Sequence, residues 1–169
     1  MSTNVDTPQV TRGAVGTAPD GVLRRLHTGP FDFETGGRLP AVDIGFETWG
    51  TLNEDASNAV LLLHALTGDT HVARGEGDEP GWWDGFVGPG LTVDTERFFV
   101  VAPAMLGGCY GTTGPASPDP NGNPWGSRFP FTTIRDSVRL EARLADALGI
   151  GAWHAVLGGS MGGARALEW

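Results

Sequence analysis

Between Ala41 and Thr48 apolar and polar positions alternate, with Val42, Ile44, Phe46 and Thr48 on one face and Asp43, Gly45 and Glu47 on the other. This predicts a half-buried antiparallel strand, closed by Gly50 and a turn through Asn53 to Asn58. Next comes Ala59-Val60-Leu61-Leu62-Leu63, a short continuous apolar run bounded by Asn58 and His64. Such a run predicts a strand covered on both faces, the kind from which parallel sheets are built. Phe98 to Ala102 repeats the type. From Thr133 the period turns helical, with Ile134, Val138, Ala142, Ala145 and Leu148 on one stripe. Thr133 and Asp136 resemble a capping box with Asp in place of Glu, and Gly149 stands where a C-cap glycine belongs. A further apolar strand, Trp153 to Leu157, follows at once. Strand, helix and strand at this spacing predict a βαβ unit within an α/β fold.

Residues 1 to 20 hold little that could pack and are expected to form a mobile tail, leaving 21 to 169 for the folded part. Gly and Pro make up 39 of the 169 residues, close to the proportion that signals low complexity. Disorder is excluded, because 40% of residues are apolar and the chain carries six Trp and eight Phe, far more aromatic surface than a solvated chain uses. Thirteen of the 27 glycines lie between Gly68 and Gly126, so this region reads as long functional loops interrupted by the strand at Phe98.

Formal charge is −9, and all eleven basic residues are Arg. The balance argues against nucleic acid or an anionic membrane as partner, since a polyanion needs a basic face. Cys109 is the single cysteine, which allows no intrachain disulfide and points to a reducing compartment. Met1 to Asp20 lacks the pattern of a signal peptide, and no apolar run approaches the ~20 residues that span a bilayer. The expectation is a soluble, cytoplasmic protein.

After the last apolar strand the chain reads Gly158-Gly159-Ser160-Met161-Gly162-Gly163, which contains G-x-S-x-G. In so glycine-rich a chain the bare match is weak, and its context gives it weight. It follows a buried strand and precedes Ala164 to Trp169, a segment of good helix propensity. A sharp strand-to-helix turn strains the serine backbone, and Gly158 and Gly162 let strand and helix approach without Cβ clashes. Ser160 Oγ would then project beside a helix N-terminus, where negative charge is favoured. An oxyanion hole needs two convergent N–H groups. Met161 is expected to supply one, and the loop His64-Ala65-Leu66-Thr67-Gly68 the other, through Leu66 or, almost as well, Ala65.

Other groupings weigh less. His64, Asp69 and His71 lack further ligands at a metal-binding spacing, so no metal is expected. Cys109 reads as a small buried thiol in a tight loop rather than a nucleophile. Trp82, Trp83 and Trp125 either line a substrate tunnel or pin loops onto the domain. Arg74, Arg128 and Arg135 could hold a coenzyme phosphate, although solvated surface arginines are more common.

From about residue 40 to its end the chain closely resembles homoserine O-acetyltransferase, an acyltransferase of the α/β-hydrolase fold. The resemblance rests on His64 to Asp69, Gly81-Trp82-Trp83-Asp84-Gly85, Gly88-Pro89-Gly90, Asp94-Thr95, Leu106 to Cys109, Gly111 to Pro115, Arg128-Phe129-Pro130 and Gly158 to Trp169. It implies a mostly parallel sheet with helices on both faces. It implies that Ser160 takes an acetyl group from acetyl-CoA as co-substrate and passes it to the L-homoserine hydroxyl in methionine biosynthesis, with no bound cofactor. It also supports Leu66 and Met161 as oxyanion donors, and a homodimer is expected of the full-length protein. Succinyl transfer, a serine acceptor and plain esterase chemistry are the alternatives. Two departures stand out. Ala104 occupies a position where the family usually has Asn. The chain also stops at Trp169, whereas in this fold the triad acid and histidine follow the nucleophile. His27, His64, His71 and His154 are not placed to act as the base. The sequence therefore reads as the N-terminal part of a longer domain, truncated after the elbow, with an apolar strand left at a sheet edge. Alone it is expected to be inactive and poorly folded.

Overall fold

The computed structural model describes residues 20–169; the tail expected over residues 1 to 20 lies, but for Asp20, outside them. The elements are β1 (Arg24–His27), β2 (Phe31–Asp32), β3 (Arg38–Leu39), β4 (Asp43–Trp49), β5 (Ala59–Leu63), β6 (Val87–Gly88), β7 (Val93–Asp94), β8 (Phe99–Pro103), α1 (Ile134–Leu148), β9 (Ala155–Gly158) and α2 (Met161–Glu168). Five strands form one sheet in the order β1-β4-β8-β5-β9, while β2-β3 and β6-β7 are small separate pairs. β4 runs antiparallel to β1 and β8, and β5 runs parallel to β8 and β9. The half of the sheet that leads to Ser160 is thus parallel and the other half antiparallel. Asp20 is tied down, accepting from Gly50 N–H at 3.1 Å.

Alternation along the central strands sorts the core into two layers. Ile44, Phe46, Leu61, Leu63, Phe99 and Val101 face α1, where Leu140, Leu144 and Leu148 meet them. Trp49, Val60, Leu62, Val100 and Ala102 face the opposite way, onto Val72, Ala73, Val87 and Val93. Ala166 of α2 joins the α1 layer. Both α-helices of the described residues therefore lie on one face, and loop covers the other. The loop serves because its valines and tryptophans present enough apolar surface to exclude water. No helix of the described residues is long and apolar enough to cross a membrane.

Two expectations are corrected. β4 is buried on both faces from Ile44 to Trp49, not half-buried. Gly45 packs on Gly111, where an added Cβ would come within 2.7 Å of backbone, and Glu47 turns inward to side chains of the covering loop. On α1 the buried stripe is Asp136, Ser137, Leu140, Glu141, Leu144, Ala145 and Leu148, rotated from the expected one. Asp136 and Glu141 occupy core positions here because each finds partners. The remaining expectations for this region hold: α1 begins with a reciprocal capping box between Thr133 and Asp136 and ends at Gly149 in the left-handed conformation, φ 76°.

Asp136 does more than cap. Fully buried, it also accepts from Glu34 N–H at 2.9 Å and from Arg139 Nη1 at 3.1 Å. Asp136→Ala is expected to cost about 2–4 kcal/mol, the loss of a cap plus stranded buried donors, against about 1 kcal/mol for Thr133→Ala. Urea unfolding of the two variants checks the ranking.

Candidate active site

β9 ends at Gly158, in register with Leu63 of β5, and α2 starts three residues later. Ser160, the turning residue, has φ 56° and ψ −122°, a conformation that costs a non-glycine residue of order 1–3 kcal/mol. Its position is that of an N-cap, yet its side chain makes no capping hydrogen bond. The hydroxyl is thus not engaged by the α2 amides, and the residue is exposed. Gly158 and Gly162 permit this. A Cβ on Gly162 would overlap Leu63 O, and one on Gly158 would overlap Gly162 O. Met161, half-buried, opens α2, where helical geometry offers its N–H no intrahelical partner.

The loop after β5 abuts this turn. Gly68 N–H donates to Ala65 O at 2.9 Å, making Leu66 and Thr67 the central residues of a turn whose closing bond uses neither of their N–H groups. The Leu66 side chain is 62% exposed. His64 fixes the loop's start: its Nε2 accepts the Met105 N–H at 3.1 Å, and its Nδ1 donates to Ala65 O at 2.6 Å. This pairing requires the neutral Nδ1–H tautomer. Burial pushes the His64 pKa below the ordinary histidine value; the Ala65 carbonyl opposes that and the Arg165 charge adds to it.

Sequence reasoning missed three residues beneath this site. Arg165 of α2, fully buried, donates from Nε to Glu141 Oε1 at 2.7 Å and from Nη2 to the same oxygen and to Pro103 O, the latter at 3.4 Å. Trp169 Nε1 donates to Glu141 Oε2 at 2.8 Å. Burial raises the Glu141 pKa against the opposing pull of Arg165 and Trp169. The available signal was a pair of charges at helix positions where apolar residues are normal.

Elsewhere the structure separates what sequence put together. His64 faces Met105, whereas His71 donates to Glu47 Oε2 at 2.8 Å and to Glu79 O at 3.0 Å. Both partners are acceptors, an arrangement that favours the imidazolium, which has no lone pair to act as base. Burial opposes its charge, but Glu47, the Glu79 carbonyl and Asp69 together raise its pKa. Asp69 caps its own turn, accepting from His71 N–H. Among the described residues no group of three or more His, Cys, Asp and Glu could hold a metal ion. His27 pairs with Asp43 at 2.7 Å; His154 precedes β9, exposed against Phe98, at the opposite end of that strand from Ser160. Cys109 is exposed, not buried, because the turn closed by Gly108 N–H on Met105 O carries it outward. Arg74, Arg128 and Arg135 each pair with separate carboxylates, Asp84, Asp119, and Glu34 with Glu168. Trp83 and Trp125 pack onto the two core layers, while Trp82 is 38% exposed. Ala104 is buried and its carbonyl accepts from Thr112 Oγ1 at 2.8 Å.

Two predictions follow from this geometry. Gly162→Ala is expected to lose about 1–3 kcal/mol through overpacking against β5, whereas Gly159→Ala, with nothing within 4 Å of its added Cβ, keeps the parental melting temperature. The histidines act oppositely on stability. His64, lowered in the folded state, withdraws stability as pH falls below about 6.5; His71, raised, contributes fully below about 6.5 and loses its contribution as pH rises through its folded value. His71→Gln should therefore flatten the alkaline side of a urea-midpoint profile between pH 5.5 and 8.5; an unchanged alkaline slope would disprove the linkage.

Residues 58–169 match the family described as the alpha/beta hydrolase fold. Over 143 residues the chain is 64% identical to a homoserine O-acetyltransferase of Thermobifida fusca (strain YX), covering 83% of this chain and 38% of that one. Over 144 residues it is 53% identical to a homoserine O-succinyltransferase of Dechloromonas aromatica (strain RCB), with 83% and 38% covered. Among solved structures it is similar to esterase E22, with 36% identity and TM-score 0.82 over 88% of this chain and 43% of that one. It is also similar to a homoserine O-acetyltransferase from Bacillus anthracis, with 35% identity and TM-score 0.81 over 88% and 42%. The chain spans about two-fifths of the length of these proteins. A strained serine between a parallel strand and a helix, on a sheet of this order and with this match, means that the chain belongs to the α/β-hydrolase fold family.

Proposed function

We propose that the whole protein is a homoserine O-acyltransferase with acetyl-CoA as its donor, and that Ser160 is its nucleophile. The observation that carries the reading is Ser160 itself, held at φ 56° with its hydroxyl released from capping. Strain of this kind is retained where it serves a function. The homoserine O-acetyltransferase relative from Thermobifida fusca supports the acceptor and the acetyl donor.

In the proposed reaction Ser160 Oγ attacks the thioester carbonyl carbon while its proton passes to a general base. The carbonyl oxygen becomes an oxyanion, held by the N–H groups of Leu66 and Met161 beside the α2 N-terminus. Collapse breaks the carbon–sulfur bond, and the coenzyme A sulfur leaves with the proton. The homoserine hydroxyl then attacks the acyl-serine carbonyl carbon while the base takes its proton; collapse breaks the bond between that carbon and Ser160 Oγ, the base returns the proton to Oγ, and the O-acyl ester departs with Ser160 restored. The base is proposed to come from the part of the relatives' length that this chain does not span. The product would serve methionine biosynthesis in a cytoplasmic, homodimeric enzyme.

A second reading, a serine esterase in which water deacylates the enzyme, is favoured by the 36% identity and TM-score of 0.82 to esterase E22. Incubating the whole protein with acetyl-CoA or succinyl-CoA and homoserine separates these by product mass. O-Acetylhomoserine is expected, with Ser160→Ala at least about 10³-fold slower. Free acetate as the main product would favour the esterase, O-succinylhomoserine would change the donor, and a Ser160→Ala variant retaining a tenth of the rate would remove Ser160 from the reaction.

A further inference from the structure

We propose that the buried pair Arg165–Glu141 is the positioning element of the acyl-transfer site, setting the separation of the two oxyanion donors; this rests on the reading of Ser160 given above. Arg165 lies one helical turn beyond Met161 on α2, so its guanidinium fixes the rotation of the helix that carries one donor. The same guanidinium holds Pro103 O at the end of β8. Two residues on, Met105 N–H grips His64 Nε2, and His64 Nδ1 grips Ala65 O, directly before Leu66. An unbroken path of covalent and hydrogen bonds thus runs from one guanidinium to both donors. Glu141, supplied by α1 and held on its second oxygen by Trp169, anchors that guanidinium from below.

Stability alone does not account for the pair. Two buried charges can often be exchanged for apolar residues without loss, whereas removing only one strands the other. This pair also leaves Arg165 Nη1 buried with no hydrogen-bond partner among the described residues, a cost a leucine would not carry. What an apolar pair cannot reproduce is direction. Nε and Nη2 converge on Glu141 Oε1 while Nη2 also reaches Pro103 O, and the planar fork leaves little freedom to slide. Burial, and in smaller part the Arg165 charge, lowers the His64 pKa, in keeping with an Nε2 that accepts from Met105 N–H.

The test uses the whole protein with p-nitrophenyl acetate, following the pre-steady-state burst of nitrophenolate alongside thermal unfolding. Arg165→Met should both destabilise the protein and slow acylation. The double variant Glu141→Leu with Arg165→Leu should recover the parental melting temperature within a few degrees, yet acylate on the order of 10²-fold more slowly, the loss expected from misplacing a catalytic group by about 1 Å. Its KM for the donor should stay within threefold of the parent. Arg165→Lys, which keeps the charge but not the fork, should restore stability and only part of the rate. A double variant that is stable and acylates within threefold of the parent would overturn the proposal, as would a full return of rate in Arg165→Lys. A parent protein without a Ser160-dependent burst would instead overturn the reading of Ser160, and this inference with it.

Discussion

The end of β5 and the first turn of α2 touch backbone to backbone, because Leu63 O occupies the space that any side chain at Gly162 would need. That approach fixes most of what surrounds Ser160. With Leu63 paired to Gly158, only two residues separate the strand from the helix, and the chain can reverse over that distance only if Ser160 takes a positive φ. The strain is borne because the strands on either side are locked: Leu61, Leu63 and Val101 are wholly buried, and shifting them would open cavities in a close-packed core. The same contact sets the loop 65–68 beside the α2 N-terminus, where the helix dipole adds to its amides.

Around this contact the buried polar groups act as fasteners. His64 ties the β5 loop to the β8 loop, Glu47 ties β4 to Thr70 and His71, and Glu141 ties α1 to α2. Each joins segments far apart in sequence, and each is costly to leave half-made, because a stranded buried partner loses its solvation without recompense. The exposed pairs, such as Arg38 with Asp32 at 3.1 Å, belong to the class that contributes little. Directionality in this molecule is concentrated inside.

The glycine-rich segment between β5 and β8 gains its order from apolar side chains more than from its one short strand pair, β6-β7. Val72, Ala73, Val87 and Val93 close the second face of the sheet, with Trp83 and Phe86 packed against them. Trp83 lies 4.8 Å from Trp82 and 5.0 Å from Phe86 by ring centroids. Trp82 stays at the surface with its Nε1 on Asp69 O, one residue beyond the turn that carries Leu66. A loop pinned this way can stand over a site while the sheet beneath it stays rigid.

Much of this was legible along the chain. The apolar runs at Ala59 and Phe98, the helical period from Thr133 with its capping box, and the glycines bracketing Ser160 are local signals, set by backbone sterics, hydrogen-bond geometry and the side-chain period of each element. They sufficed for the parallel strands, α1 and the elbow. What they could not supply depends on which segments meet. β4 looked half-buried because nothing in its own alternation reveals that the 64–98 segment folds over its polar face. Glu141 and Arg165 gave no local sign of burial because each is acceptable in the core only with the other, 24 residues away. The covering of the second face, the rotated stripe of α1, the neutral form of His64 and the exposure of Cys109 were decided in the same way. The sequence by itself determined the central strands, α1 and the strained serine, since those follow from neighbours a few residues apart; only the tertiary structure decided which polar groups would be buried, because burial of a charge is settled by the partner that arrives from elsewhere in the chain.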